Sequence, residues 1–380
     1  MGTSSIEVLT AGFEEPFEAL GRDAALDRDA VVISWPSVPV EIVRAAGLRP
    51  VVARGGPEPT PAADAVLEPD LFPSRLRRLV DAALTQRLAH VAAIVVPRTS
   101  DSDYKCFLYL RELVRLRVVR RLPPVLLFDL LQAAGDETPA YNAARARELL
   151  AALERFSSHR STPDELRAAI RAANAARAAA RRLDALRRGE PRLYGREAVA
   201  LLGGFWQLHP ERYVALATAA ADAIGARMPL RGPRVLLAGA PLDSAALHSE
   251  IEARGAIVVA ELSPFGAGAA SGDVDTGVDP IAAIADHYRR SSIDPRLPAA
   301  VLAQRIEAAL PEVDAAVVSL PPEDATFGWD YPRLRALLER RSISHVVLRG
   351  DPTRPMTAAD RERLDALLAS APAGTEARCG

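Results

Sequence analysis

The sequence has very few cysteines and lysines. Cys106 and Cys379 are the two cysteines among 380 residues, and Lys105 is the one lysine. Two cysteines exclude the disulfide framework of small secreted proteins and fit a reducing compartment. No run of about 18 apolar residues is present to span a bilayer, and the N-terminus lacks the basic and apolar segments of a signal peptide. We therefore expect a cytoplasmic protein with no membrane partner.

The chain also has little net charge. Its 47 Lys and Arg residues nearly balance its 49 Asp and Glu residues, which leaves a formal charge of -2. Nucleic-acid binders use an excess of bases to neutralise phosphate, so we expect no nucleic-acid partner. With 49% hydrophobic and 25% charged residues, the composition is that of an ordinary globular protein. A length of 380 residues exceeds what one core usually organises, which favours two α/β units.

Short, continuous apolar runs alternate with amphipathic stretches in the first and last parts of the chain. Such runs are typical of parallel strands covered on both faces. The predicted strands are Val31–Ser34, Pro50–Ala53, Val91–Val96, Val125–Phe128, Val235–Ala238, Ala256–Ala260, Ala315–Ser319 and His345–Leu348. The sequence therefore predicts an α/β protein with two four-stranded parallel-sheet β/α domains, residues 1–137 and 231–380, and a helical segment, residues 138–230, between them. One later helix is predicted near Pro332 to Arg340, and the last is predicted to be capped by Thr357.

Helix signals replace strand signals in the middle segment. Thr138-Pro139 and Thr162-Pro163 each place an N-cap residue before a proline at the first helical position, and Glu165 completes a capping box with Thr162. The second helix is predicted to be long. Its arginines outside a thin apolar stripe are Arg167, Arg171, Arg177, Arg181, Arg182 and Arg188. We interpret them as a solvated face, with an anion-binding or partner-binding surface as the alternative.

The fold class predicts where a ligand would bind. Open parallel sheets bind ligands beyond the carboxyl ends of their strands, which here selects four loops: Ser34–Ser37, Pro97–Asp103, Gly239–Asp243 and Ser319–Asp330. Two coupled domains would bring these loops to a shared cleft. In the second loop, helix capping by Asp101, Ser102 or Asp103 requires one side chain and leaves the others for function. Trp35 and Trp329 are expected to pack in the core or the cleft wall, with a ligand contact as the alternative.

Several familiar motifs are absent. The loop Gly239–Asp243 is neither a G-x-G-x-x-G turn nor a phosphate-binding loop, and no G-x-S-x-G nucleophile turn occurs. His248 and Glu252 stand one helical turn apart, but a zinc site requires a third ligand. The motifs therefore support neither a nucleotide site nor a zinc site.

Several segments resemble the 2-hydroxyacyl-CoA dehydratase and benzoyl-CoA reductase family. Ser37 to Leu48 is similar to the segment in which family subunits place a proline, a glutamate and an Ala-Ala-Gly turn, and Thr99 to Ser102 resembles the family's Cys-Asp loop. Further similar segments are Asp164–Arg177, Gly239–Gly255, Asp279–Tyr288, Phe327–Pro332 and Gly350–Arg354. The resemblance implies a heterodimer of related subunits, an acyl-CoA substrate, and a [4Fe-4S] cluster held by three cysteines in a cleft. It also implies an ATP-hydrolysing activator and a ketyl radical intermediate.

The chain departs from this family at the cluster. Ser100 stands where the first cluster cysteine would lie, and Pro321-Pro322 occupy the vicinity of the last one. Iron–sulfur clusters are held by thiolates, whereas Cys106 lies inside a predicted helix and Cys379 in a Gly- and Ala-rich tail. We therefore expect no metal and no cofactor in this chain, and a [4Fe-4S] cluster in a paralogous partner subunit.

The resemblance also suggests site residues. The catalytic candidates are Glu41, Ser100 and Asp101. Glu41 would act as an acid or base if it faces the cleft and burial raises its pKa toward neutrality, and serine hydroxyls would donate hydrogen bonds to a thioester oxygen. The substrate-binding candidates are Ser34, Trp35, Ser37, Ser102, Trp329 and Asp330.

Three functional hypotheses follow. In the first, the chain is the cluster-lacking subunit of an acyl-CoA dehydratase (a lyase) or reductase complex, and it shapes the acyl-CoA cleft beside a cluster-bearing paralogue. In the second, it is a cluster-free acyl-CoA or small-molecule binding protein without redox activity, since a fold does not guarantee a function. In the third, it is a structural subunit that would tolerate Glu41→Ala and Asp101→Ala.

Overall fold

The computed structural model describes residues 4–133, 135–293, 295–324 and 326–371. It contains two four-stranded sheets in which all paired strands are parallel. The strands are β1 (Ala30–Ile33), β2 (Arg49–Val52), β3 (Ala93–Pro97), β4 (Val125–Phe128), β5 (Arg234–Gly239), β6 (Ile257–Glu261), β7 (Ala315–Ser319) and β8 (Ser344–Leu348). Sheet A has the order β2-β1-β3-β4, and sheet B has the order β6-β5-β7-β8. The predicted α/β class with two four-stranded parallel sheets is confirmed.

Helices cover both sheets. In the described residues they are α1 (Ser5–Ala19), α2 (Ala24–Asp27), α3 (Val40–Ala45), α4 (Pro61–Asp64), α5 (Ser74–Leu84), α6 (Asp101–Arg115), α7 (Thr138–Ser157), α8 (Pro163–Ala185), α9 (Gly195–Gly203), α10 (Pro210–Gly225), α11 (Ala246–Glu252), α12 (Pro280–Ser291), α13 (Ala299–Ala309), α14 (Phe327–Arg340) and α15 (Ala358–Ser370). None of these helices is long and apolar enough to cross a membrane.

The central strands form because their side chains are apolar on both faces. Every residue of β1 and β3 is buried, and β1 pairs in register with both neighbours, with Val32 opposite Val51 and Ile94. A strand with helices on both faces buries successive side chains on opposite sides, so its sequence is a continuous apolar run. The same burial pattern holds for β6 and β7 in sheet B.

One apolar core crosses the boundary between the two halves. Val31 and Ile33 of sheet A, Leu183 and Leu201 of the middle helices, and Ile284 of α12 belong to a single buried cluster. α12 follows sheet B's second strand in sequence but packs against α7 and α8. α9 packs against α1 and α8 on one side and β6 and α11 on the other. The middle helices therefore join the two sheets into one packed unit.

Some local predictions are confirmed and others are wrong. Thr162 forms the predicted capping box with Glu165, and Thr357 caps α15. Thr138 is not an N-cap: it is the first residue of α7, and its hydroxyl donates to the Ala133 carbonyl at 3.0 Å. α14 begins at Phe327, five residues before Pro332, because the Asp324 carboxylate accepts hydrogen bonds from N–H groups of the first turn.

Arg177 corrects the interpretation of the α8 arginines. Arg167 and Arg171 are exposed as expected, but the side chain of Arg177 is only 1% exposed. It faces the interior, where it pairs with Glu41 of α3. A guanidinium group in this position is part of the core and not of a solvated surface.

Candidate functional site

A cleft lies where the carboxyl ends of the two sheets face each other. Its cavity of about 320 Å³ is lined by residues of all four loops that follow β1, β3, β5 and β7, and by residues 351–353 after β8. The first turn of α5 and residues 295–296 complete the lining. Cavities of this size accept small molecules.

The wall from the N-terminal half is built around a buried ion pair. Arg75 of α5 donates to both carboxylate oxygens of Asp103, at 2.8 and 3.1 Å, and to the Ser34 carbonyl at 2.9 Å. Its guanidinium group also lies over the Trp35 ring, 4.3 Å from the ring centre. Both partners of the pair are almost fully buried, and bidentate pairs of this kind fix geometry as well as charge. Arg75 and Trp35 therefore present a rigid cationic and aromatic surface to the cleft.

Asp103 also organises the loop that enters α6. The hydroxyls of Thr99 and Ser100 each donate to its carboxylate at 2.7 Å, and the Ser100 oxygen accepts the Asp103 N–H at 3.0 Å. Ser100 is therefore the N-cap of α6, and the expected capping by Asp101, Ser102 or Asp103 is wrong. Asp101 is exposed at the cleft, and the Ser102 hydroxyl donates to the Leu71 carbonyl at 2.9 Å.

The opposite wall carries carboxyl groups. Asp243, after β5, accepts a hydrogen bond from the Gly55 N–H at 3.0 Å, a contact between the two halves of the molecule. A Cβ atom on Gly55 would lie 2.4 Å from an Asp243 oxygen, so this contact requires glycine. Burial raises the pKa of Asp243, and the charges of Arg75 and Arg54 oppose that shift without cancelling it.

Glu323, after β7, is the second carboxyl group of this wall. Burial raises its pKa to about 6, and the negative charges of Asp351 and Asp243 add to the shift while Arg77 opposes it. A group that titrates near neutral pH can both donate and accept a proton. The cleft thus places a proton-exchanging carboxyl group and a fixed guanidinium group around one cavity.

Glu41 lies outside the cleft, in a buried network between α3, α8 and α12. Its carboxylate pairs with Arg177 and accepts the Tyr288 hydroxyl at 2.9 Å, and that hydroxyl accepts the Val40 N–H at 3.1 Å. Burial would raise the pKa of Glu41, but the charge and hydrogen bond of Arg177 outweigh it and hold the pKa below its usual value. The pKa of Glu41 is therefore not raised toward neutrality, as an acid–base role would require.

The remaining predicted residues divide between the cleft and other places. Trp35, Ser100, Asp101 and Ser102 line the cavity. Ser34 lies fully buried behind it, with its hydroxyl 3.4 Å from Asp103. Ser37 lines a separate small recess, and its hydroxyl has no hydrogen-bond partner among the described residues. Trp329 is 87% exposed, so its expected packing in the core or the cleft wall is wrong. Asp330 lies beside it in the first turn of α14.

The residues that the structure describes do not fit an iron–sulfur cluster. Cys106 lies on the buried side of α6 in the apolar core and does not line the cavity. Burial raises the pKa of its thiol to about 12, so the thiol stays protonated. Cluster ligands must be thiolates. Ser100 uses its oxygen in the α6 cap, and Cys379 lies outside the described residues. In the described part of the chain, no three His, Cys, Asp or Glu side chains are grouped to hold a metal ion.

The loops that carry Asp243 and Glu323 were predicted from the sequence, but these two residues were not. Both lie in loops that the strand-end rule named, and neither belongs to a recognisable motif. Arg75 lies in the first turn of α5 and belongs to no recognisable motif. Only the fold brings it to Asp103, 28 residues later in the sequence. Arg75 is buried, whereas Asp243 and Glu323 are half-buried, and their contacts in the fold could not be read from the sequence.

The fold is that of a two-sheet α/β protein with a cavity at the strand ends. The model of the family 2-hydroxyglutaryl-CoA dehydratase, D-component, matches residues 37–370, nearly the whole chain. The chain belongs to this family. A search of curated proteins found no match.

Proposed function

We propose that this chain is the cluster-lacking subunit of a 2-hydroxyacyl-CoA dehydratase-like or benzoyl-CoA reductase-like complex. Its cleft receives the acyl end of a CoA thioester, and a paralogous subunit beside it carries the [4Fe-4S] cluster. An ATP-dependent activator serves that subunit. The complex works in the cytoplasm.

The observation that carries this proposal is the chemistry of the cleft. It lies at the strand ends, in a chain of a dehydratase-component family, yet none of the described residues that line it is a cysteine. Family membership supports a role within a multi-subunit dehydratase system. The absence of thiols from the lining supports a division of labour in which the metal belongs to the partner.

In this site, we assign the acid–base role to Glu323 in place of Glu41. Glu323 lines the cavity and has a pKa of about 6, whereas Glu41 is paired in a buried network outside it. Arg75 supplies a fixed positive charge for an oxygen that gains negative charge, and Trp35 provides an apolar surface for the acyl chain. Asp101 and Ser102 at the mouth remain candidates for substrate contact.

Co-expression with a paralogue that retains the cluster cysteines tests the proposal. We expect an anaerobically purified complex with iron, sulfide and dehydratase or reductase activity, and no iron in this chain purified alone. An iron-free complex, or stoichiometric iron in the isolated chain, would contradict it.

Variants of the complex test the residue roles. Glu323→Gln should lower kcat by about 100-fold or more, as expected for loss of a general acid or base. Glu15→Gln, on the exposed side of α1, is the matched control and should leave kcat unchanged. Equal activity of the Glu323→Gln complex would remove Glu323 from the mechanism.

One observation favours a second function, a binding protein without redox activity. Trp35, Arg75 and Glu323 line the cavity, and this aromatic and charged lining supports ligand binding by the isolated chain. Calorimetry of the isolated protein with CoA thioesters separates the two functions. Tight binding without a partner, together with no activity in any complex, would favour the second one.

A further inference from the structure

The outward side of α6 carries an unusual combination of charge and exposed apolar surface. Between residues 98 and 121 the sequence has seven basic and three acidic side chains, in a protein whose net charge is -2. Of the twelve large hydrophobic side chains that are exposed in the described part of the chain, five lie between residues 104 and 118. They are Tyr104, Leu108, Val114, Leu116 and Val118.

Four of these side chains and two arginines make up a surface that we call the α6 face. It consists of Tyr104, Leu108, Arg111 and Arg115, which follow one another at helical spacing, and of Leu116 and Val118 in the turn after the helix. The opposite side of α6 packs into the core through Cys106, Leu110 and Leu113. The helix therefore needs no further packing for its own stability, and the α6 face remains open to a partner.

The composition of the α6 face indicates the chemistry of that partner. Contiguous exposed apolar side chains mark interaction sites, and the surrounding cations favour a surface of negative charge. Arg115 pairs with Glu112 at an exposed position, and such pairs are weak in water, so a carboxylate of a partner can compete for it.

Position links the α6 face to the cleft. The helix begins at the cavity, where Ser100, Asp101 and Ser102 line the mouth, and Tyr104 follows one turn later with the Arg98 guanidinium 5.0 Å from its ring centre. A protein that covers Tyr104 therefore sits at the rim of the cleft.

We propose that the α6 face is the docking surface for the paralogous, cluster-bearing subunit, which meets it with an acidic patch that carries apolar side chains. This proposal rests on the proposed function. It places the partner beside the opening through which a substrate reaches Arg75 and Glu323.

Charge reversal tests this docking surface with a closely matched control. The double variant Arg111→Glu, Arg115→Glu should weaken binding to the paralogue about tenfold or more. The control is Arg167→Glu, Arg171→Glu on α8: both pairs are exposed and four residues apart, and in each pair one arginine has an acidic partner three residues earlier. The control should bind like wild type.

A second pair of variants tests the apolar part. Leu108→Asp should weaken the complex, whereas Leu26→Asp on α2, an even more exposed leucine, should not. Unchanged melting temperatures of all variants establish that folding is intact.

The outcomes separate the two proposals. If wild type binds the paralogue and the α6 variants bind equally well, the docking surface is wrong and the proposed function stands. If wild type does not bind the paralogue at all, both are overturned. Sedimentation of wild type, but not of the α6 variants, with phosphatidylglycerol vesicles would assign the face to a lipid surface and also overturn the docking proposal.

Discussion

Glu323 has a pKa of about 6 because burial and neighbouring carboxylates disfavour its charge. Glu323 in the folded chain keeps its proton up to about pH 6, whereas in the unfolded chain it loses the proton near pH 4.5. The free energy of unfolding therefore falls as the pH rises from 4.5 to about 6. Glu323→Gln removes the burial cost. We expect the variant to exceed wild type in free energy of unfolding above pH 6 by on the order of 1 kcal/mol, after allowance for solvent screening.

Urea unfolding across this pH window measures the difference between the two proteins. It should shrink toward zero as the pH falls to about 4.5, where wild type is itself protonated. Glu15→Gln serves as the control. If the stability difference between the two proteins does not change with pH, the pKa of the Glu323 carboxyl group is not raised in the folded chain.

Loss of Arg177 should destabilise the fold, because its side chain is buried and ion-paired. Arg177→Met leaves the Glu41 carboxylate buried without its cation, and breaking a buried pair in this way costs about 3–5 kcal/mol. In the double variant Glu41→Leu, Arg177→Met no charge is stranded, so much of the loss should be recovered. Denaturant unfolding of the single and double variants checks this. If the double variant is less stable than Arg177→Met, the ion pair stabilises the fold by more than the neutralisation of Glu41.

Position in sequence explains why this pair escaped prediction. Arg177 and Glu41 are 136 residues apart, and along α8 nothing distinguishes Arg177 from its exposed neighbours except a spacing that places it beside the apolar stripe. Long-range ion pairs are properties of the packed fold. The sequence alone predicts that the helix has a polar face but not which cation turns inward.

Among the elements, α6 depends on its N-cap residue, Ser100. Ser100→Ala removes the N-cap and one of the three hydroxyls that donate to Asp103, and loss of a cap costs about 1 kcal/mol. Ser102→Ala removes a single hydrogen bond to Leu71 at the surface and should cost less. Thermal unfolding compares the two, and an equal loss would contradict the cap assignment.

The strands were predictable and several helix ends were not. Strands covered on both faces require continuous apolar runs, a pattern visible without any partner, as in Val125–Phe128, which matches β4 residue for residue. The start of α14 was missed because Asp324, a loop residue, supplies the cap from outside the periodic segment. α1 was missed although Leu9, Phe13 and Phe17 follow helical spacing and Ser4 forms a capping box. The capping box of α1 is visible in the sequence and could have predicted this helix.

The candidate site was predictable as a place and not as a set of side chains. Topology alone directs attention to the ends of parallel strands, and the four loops named there all reach the cavity. The chemistry depends on burial and on neighbours from the other half of the molecule, as at Asp243 and Gly55. Those contacts are set by how the two sheets face each other, which no local pattern encodes.

At the scale of the whole molecule, the shared core predicts cooperative unfolding. Sheet A, the middle helices and α12 contribute to a single apolar cluster. The two halves should therefore melt in one calorimetric transition whose calorimetric and van't Hoff enthalpies agree. Differential scanning calorimetry of the full chain checks this expectation. Two resolved peaks would mean that the halves are independent.

The placement of α12 also limits how the cleft can work. Because α12 lies late in the chain but packs among helices from earlier in the chain, the two walls of the cavity cannot separate without breaking apolar contacts. A ligand must then enter and leave through an opening that exists at all times. We expect its rates of entry and release to depend on what covers Asp101 and Tyr104, and not on a relative motion of the two halves.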